Sequence, residues 1–180
     1  LYIGGGMIFT FAKAMGYEVG SSLVEEDKVD LAKELLSKFK HSNVNVYFPN
    51  DVVAAKEISD TAETMVVPFN KIPPGFKGLD IGPDTINSFS SSLMDSKTIF
   101  WNGPMGVFEC KSFSRGTLEM ALLLAELTDK GAITIVGGGD SAAAVSQAQV
   151  DHRLTHVSTG GGAALEFLEG KKLPGVESLT

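Results

Sequence analysis

A single cysteine, Cys110, leaves this 180-residue chain with no internal disulfide and no paired-cysteine metal site. That scarcity fits a reducing compartment, and beside a loop Cys110 reads as a small hydrophobe. Long hydrophobic runs are missing as well. No stretch approaches the roughly 18–20 apolar residues of a membrane span, and residues 1–15 lack the charged start and cleavage pattern of a signal peptide, so no membrane partner is expected. Dense Lys/Arg clusters are also absent, and the net charge of −7 argues against a nucleic-acid partner, whose binding rests on neutralising phosphates. Histidines say little: His156, on what reads as a buried strand before Gly160, is expected to be a hydrogen-bonded structural residue rather than a general base.

Glycine, by contrast, is concentrated. Gly4-Gly5-Gly6, Gly137-Gly138-Gly139 and Gly160-Gly161-Gly162 each follow a short strand-like segment and precede a helix-like one. Bare glycine lets main-chain N–H groups approach a ligand, and the helix start beyond adds unsatisfied donors and a positive dipole end. One such run is equally a plain tight turn; three at equivalent joints favour a phosphate-rich ligand. No Lys or Arg lies inside any of them. A polyphosphate would therefore need metal ions, backbone dipoles or cations from elsewhere to offset its charge.

The composition, 43% hydrophobic and 21% charged, is that of a globular domain with a real core. The pattern along it alternates strand and helix. Tyr2-Ile3 reads as a strand end and Met7 to Met15 as a helix broken by Gly16. Residues 27–39 form an amphipathic surface helix with Val29, Leu35, Leu36 and Phe39 on one stripe. Val44 to Phe48 is expected to be a strand closed by Pro49-Asn50-Asp51, and residues 52–75 read as less regular. Pro83 opens a helix running to Met94. Thr98 to Trp101 is expected to be a buried strand, and Phe113 to Leu127 a helix with Leu118, Ala121, Leu122 and Ala125 inward. Ala132 to Val136 reads as a fully buried strand, His156 to Ser158 as another, and Ala163 to Leu168 as the start of the last helix. Strands separated by such helices predict an α/β, Rossmann-like three-layer domain with a mainly parallel sheet flanked by helices. Ligands sit at the carboxyl ends of the strands in such sheets, which places the glycine runs, the Asn102 loop and Gly78 along one expected site.

Gly137-Gly138-Gly139-Asp140-Ser141 carries the most specific local chemistry, an acid directly after an anion-binding turn. Phosphate alone would be repelled; a Mg²⁺ ion arriving with a nucleotide resolves the conflict, since it takes one or two protein carboxylates plus phosphate oxygens and water. The alternative is that Asp140 and Ser141 merely cap the next helix. The P-loop pattern is missing, because Leu165 stands where its first glycine is needed and Lys172 follows Gly170-Lys171. The dinucleotide fingerprint is incomplete, ending on Ala142, with no convincing ribose acid beyond it. Glu109 is placed to accept ribose hydroxyls or simply to face solvent, and Pro104, Val107 and Leu79 form either a slot for a base or part of the core.

Gly4-Gly5-Gly6-Met7, Trp101 to Glu109, Gly137 to Ser141 and Ser158 to Gly162 occur in an order and at spacings that closely resemble phosphoglycerate kinase. The resemblance covers essentially all 180 residues and falls on the carboxyl-terminal, nucleotide-binding domain, with Leu173-Pro174-Gly175-Val176 similar to the segment near the family's carboxyl end. It implies reversible phosphoryl transfer between 1,3-bisphosphoglycerate and ADP, giving 3-phosphoglycerate and ATP with Mg²⁺, in glycolysis and the carbon-fixation cycle. By resemblance Asp140 handles the metal-nucleotide phosphates beside Gly138, Gly139 and Ser141, and Asn102 points toward them. Gly4, Gly5, Gly78, Leu79, Pro104 and Val107 resemble the adenine pocket and Glu109 the ribose acid. Gly160, Gly161 and Gly162 resemble the helix start facing the transferring phosphoryl group, and Ser158-Thr159 part of the hinge.

The family draws its cations from an arginine of an amino-terminal, 3-phosphoglycerate-binding domain and from lysines just upstream of the present start. With Leu1-Tyr2-Ile3 running straight into glycines, the chain reads as a fragment lacking both. A monomer binding nucleotide weakly and without turnover is expected of these residues alone, in the cytoplasm or the plastid stroma. A nonenzymatic nucleotide-binding module is the second reading, and a dinucleotide oxidoreductase a disfavoured third. Ser141 stands where many members carry Thr and Ala164 where many carry Ser; residues 6–10 and 20–27 look closer to plant, algal or cyanobacterial members.

Overall fold

The computed structural model describes residues 1–179, which divide into two compact units: Leu1–Met94 with Pro104–Met120, and Asp95–Gly103 with the chain from Ala121 on. The first unit contains helix α1 (Met7–Ala14), strand β1 (Glu18–Val19), helix α2 (Val29–Lys40), strands β2 (Asp51–Ala55), β3 (Met65–Pro68), β4 (Lys71–Ile72) and β5 (Lys77–Ile81), and helix α3 (Pro83–Leu93). Beyond it along the chain run β6 (Thr98–Asn102), α4 (Arg115–Asp129), β7 (Ile133–Gly137), α5 (Gly139–Gln147), β8 (His156–Ser158), α6 (Gly161–Leu168) and α7 (Pro174–Glu177). The result is an α/β fold with parallel sheets flanked by helices.

In the first unit α1 buries Ile8, Phe9, Phe11 and Ala12 along with Thr10, whose hydroxyl oxygen accepts the Glu25 N–H at 3.1 Å. It stops at Met15, with Gly16 at φ +81° beyond. α2 lays Ala32 and the half-buried Leu35, Leu36 and Phe39 on the same core, its Asp30 in the first turn and Lys38 and Lys40 in the last complementing the helix dipole. Residues 52–75, read as less regular, instead hold most of an antiparallel sheet in the order β3-β2-β5, with Val52 opposite both Val67 and Ile81. β1 and β4 make a short parallel pair.

The strand expected over Val44–Phe48 does not form a ladder. Tyr47 makes one parallel bridge to Tyr2, while Val46 and Phe48 give the stretch its strand-like look by packing on the core. The true strand starts at Asp51, where a turn was expected, because that carboxylate is fastened to α3. Its oxygens accept N–H bonds from Asp84 at 3.1 Å and Thr85 at 2.8 Å, and the Thr85 hydroxyl at 2.7 Å. Asp51 thus satisfies the opening donors of a helix that starts, as expected, at Pro83.

In the second unit β6, β7 and β8 form a parallel sheet in that order. Asn102 lies opposite Gly137, and Gly137 opposite Ser158, so three strands end in step. Burial is more one-sided than the apolar composition suggested. Thr134 and Val136 are fully buried, but Ile133 is 49% exposed, and of β6 only Trp101 is buried. Thr134 tolerates burial because its hydroxyl bonds that of Thr128 at 2.6 Å. His156, expected on a buried strand, is exposed. On α4 Ala121 and Ala125 are buried as expected, whereas Leu118 and Leu122 are each 41% exposed; the inward stripe is Thr117, Met120, Ala121, Leu124 and Leu127. A stripe centred one position earlier satisfies the same three-and-four spacing, which is why periodicity alone misplaced it. Among the described residues no helix is long and apolar enough to cross a membrane.

Candidate functional site

The in-step strand ends of the second unit create a cluster of main-chain N–H groups. Gly138, at φ +98°, is the N-cap of α5 and adopts a conformation that side chains resist; its N–H donates to Ser158 O at 2.9 Å. Gly161, at the first position of α6, packs so closely on this turn that a Cβ there would lie 2.7 Å from Gly138 Cα. The Asn102 amide nitrogen donates to Gly161 O at 3.4 Å. The second and third glycine runs and the Asn102 loop are therefore one packed body. Gly139 and Gly162 differ: a Cβ on either would meet nothing within 4 Å, so their backbone faces open space.

Neither Asp140 nor Ser141 caps α5, whose N-cap carries no side-chain hydrogen bond. Ser141 is 1% exposed and its Oγ accepts the Gly103 N–H at 2.7 Å, which ties the Asn102 loop to α5. Asp140 stays exposed in the first turn, where the helix dipole favours its charge. Gly160, the N-cap of α6, is likewise without a side-chain cap. At α6 the Gly160 and Gly161 N–H groups are taken by Ser158 Oγ and Thr159 O, both at 3.1 Å, so the donors open to an incoming anion begin at Gly162 there and at Gly139 in α5.

Of the acids, Asp140 alone stands in the first turn of α5, and α6 has none in its own. Among the described residues no group of three or more His, Cys, Asp or Glu gathers to hold an ion. Asp140, exposed in the first turn of α5, offers a single carboxylate, which fits only a cation that brings most of its other ligands with it.

Within the first unit a second set of expected residues comes together. Pro104 carbonyl lies where a Cβ on Gly5 would fall, at 2.6 Å, and Gly4 packs against the Met105 side chain. Val107 donates its N–H to Leu79 O at 2.9 Å and packs on a buried cluster of Ala55, Leu79, Cys110 and Phe113. Leu79 and Val107 therefore belong to the core and to the loop at once. Gly78 is turned inward: its N–H is held by Ser22 Oγ at 2.9 Å, and a Cβ would overlap the Phe9 ring. Glu109 is exposed at the end of this loop, its carboxylate open to solvent.

Sequence reasoning missed Asp80 and Thr117, which hold that loop from behind. Asp80 is 3% exposed, and burial pushes its carboxyl up to about 7 against hydrogen bonds from the Gly116 and Ile81 N–H groups and the nearby Arg115 charge. An acid inside the strand-like run Leu79-Asp80-Ile81 was the available signal, since a buried carboxylate requires partners.

The family model described as phosphoglycerate kinase matches residues 1–171. The chain is 58% identical over 179 residues to the chloroplastic phosphoglycerate kinase of Volvox carteri, covering 99% of this chain and 39% of that protein. It is 58% identical to the cytosolic phosphoglycerate kinase of Nicotiana tabacum, covering 99% and 45%. Its backbone matches the structure of phosphoglycerate kinase from Coxiella burnetii with a TM-score of 0.92 at 41% identity, over 100% of this chain and 46% of that one. The chain thus spans less than half the length of these relatives.

Proposed function

The chain belongs to the phosphoglycerate kinase family, and we propose that it is most of that family's carboxyl-terminal domain, holding Mg-ADP or Mg-ATP as substrate. The supporting observation is the step-aligned row Asn102, Gly137, Ser158, from which two uncapped helix starts and one exposed carboxylate emerge together. In this reading Gly138, Gly139, Ser141 and Asn102 serve the nucleotide phosphates, and Asp140 meets the Mg²⁺ they carry, which neutralises charge on the phosphate oxygens. Gly160, Gly161 and Gly162 face the phosphoryl group in transit. Gly4, Gly5, Gly78, Leu79, Pro104 and Val107 serve the base, and Glu109 the ribose.

The reaction of the whole protein would be attack of an ADP β-phosphate oxygen on the acyl phosphate of 1,3-bisphosphoglycerate. One P–O bond forms as another breaks, and the carboxylate of 3-phosphoglycerate leaves. Such transfers rest on positioning and on stabilising spread negative charge. Backbone donors of α5 and α6 supply part of that, but the glycine runs carry no Lys or Arg, so the 180 residues alone bind nucleotide and do not turn over. We place the protein as a monomer in the cytoplasm or the plastid stroma.

Calorimetric titration of the chain with ADP, with and without Mg²⁺, and with NAD tests this. Mg²⁺-dependent ADP affinity is expected, with no kinase turnover by the chain alone. Preference for NAD overturns the nucleotide reading, and turnover overturns the division of labour.

A further inference from the structure

The loop carrying Pro104, Val107 and Glu109 is fixed by residues that the nucleotide reading leaves without a task. Thr117, in the first turn of α4 and 2% exposed, accepts N–H bonds on its hydroxyl oxygen from Met105 at 3.0 Å and Gly106 at 3.3 Å. The next amide along, Val107, donates to Leu79 O on β5 at 2.9 Å. Three successive amides are thus stitched to two elements, α4 and β5.

What keeps those elements in register is the Asp80 carboxylate. Its Oδ2 accepts the Gly116 N–H of α4 at 2.7 Å and its Oδ1 the Ile81 N–H at 2.9 Å. α4 needs that acceptor, because Ser114, which opens the helix by accepting the Leu118 N–H, donates its own hydroxyl to Lys111 O. Room for the carboxylate exists only because Gly106 and Gly116 have no side chains; a Cβ on either would overlap Asp80 Oδ1.

We propose that Thr117 and Asp80 are positioning residues for the base and ribose of the nucleotide. Asp80 docks the start of α4 on β5, and Thr117 then sets the 104–109 loop at the spacing the ligand requires. The proposal rests on the nucleotide reading above. Without the Thr117 hydroxyl, the Met105 and Gly106 amides lose their acceptor and the loop relaxes away from α4.

Thr117→Val keeps shape and removes the acceptor. In the 180-residue chain it is expected to raise the Kd for Mg-ADP about threefold to tenfold, the factor one hydrogen bond supplies. The Kd for magnesium pyrophosphate should stay unchanged, amide exchange at Met105 and Gly106 should quicken, and Thr117→Ser should restore both. Should Thr117→Val not fold, Asp80→Asn carries the same comparison and is expected to shift ADP and amide exchange in the same direction. An unchanged ADP Kd in a wild-type chain that binds ADP overturns this proposal alone, as do equal losses for ADP and pyrophosphate. A wild-type chain with no ADP affinity overturns the nucleotide reading, and this inference with it.

Discussion

Gly161 and Gly162 stand side by side at the start of α6 and should answer substitution in opposite ways. An alanine Cβ at 161 would lie 2.7 Å from Gly138 Cα and 3.0 Å from the Asn102 amide, atoms that cannot move without shifting the turn at Gly138. Gly161→Ala is expected to cost about 1–3 kcal/mol in urea unfolding. At 162 the same methyl meets nothing and relieves helical glycine entropy, so Gly162→Ala should stabilise by up to about 1 kcal/mol. Its Kd for Mg-ATP, whose terminal phosphoryl group is the one in transit, should nonetheless rise more than its Kd for Mg-ADP if the open backbone is where that group sits. A stable Gly162→Ala chain with unaltered ATP affinity would remove that glycine from the site. Ser141 offers a third contrast: Ser141→Ala strips the acceptor from the Gly103 N–H and is expected to cost about 1 kcal/mol, while Ser141→Thr keeps it.

At the level of elements, the junction of β5 and α4 carries a pH dependence of its own. Burial raises the folded-state Asp80 carboxyl from 3.8 to about 7, ahead of the opposing hydrogen bonds from Gly116 and Ile81 and the Arg115 charge. The folded state therefore holds this proton more tightly than the unfolded chain does. Its contribution is fully present below pH 3.8 and is lost as pH rises toward 7, at about 1.4 kcal/mol for each unit within that window. Asp80→Asn cannot titrate, so the stability difference, variant minus wild type, should grow in the variant's favour from pH 4 to 7 and then level off. A difference constant across urea midpoints in that range would show the carboxyl unshifted.

The same junction illustrates what was legible in the sequence. Helices with end signals, such as Pro83 and Gly16, were readable because their termini are set by local chemistry. So were the second and third glycine runs, each at the strand-to-helix joint expected of it, and the parallel β6-β7-β8 set; the first run is preceded by only the isolated bridge of Tyr2 to Tyr47, not by the strand end expected at Tyr2-Ile3. The antiparallel sheet of residues 51–81 was not, since β2 is held by Thr85 thirty-four positions away, and pairing of that kind leaves no local pattern. Ser141 was read as a contact for ligand or helix; its bond to Gly103 depends on register between β6 and α5, which spacing does not reveal.

For the molecule as a whole, a net charge of −7 and glycine runs without Lys or Arg make the attraction of a polyphosphate depend on its metal. Two effects of Asp140 then oppose each other. On the proposed reading its carboxylate is a ligand partner when Mg²⁺ is present, and Asp140→Asn should weaken Mg-ADP binding. Without Mg²⁺ the same carboxylate repels the phosphates through space, and Asp140→Asn should tighten binding of bare ADP. The two titration series should therefore cross, wild type tighter with metal and variant tighter without it. Rising salt should screen the repulsion and narrow the gap in the metal-free series, the opposite of the salt-driven loss seen when binding rests on Lys and Arg. Parallel rather than crossing series, with the same magnesium dependence in both chains, would leave Asp140 as a charge at the head of α5 and move the metal's partner elsewhere.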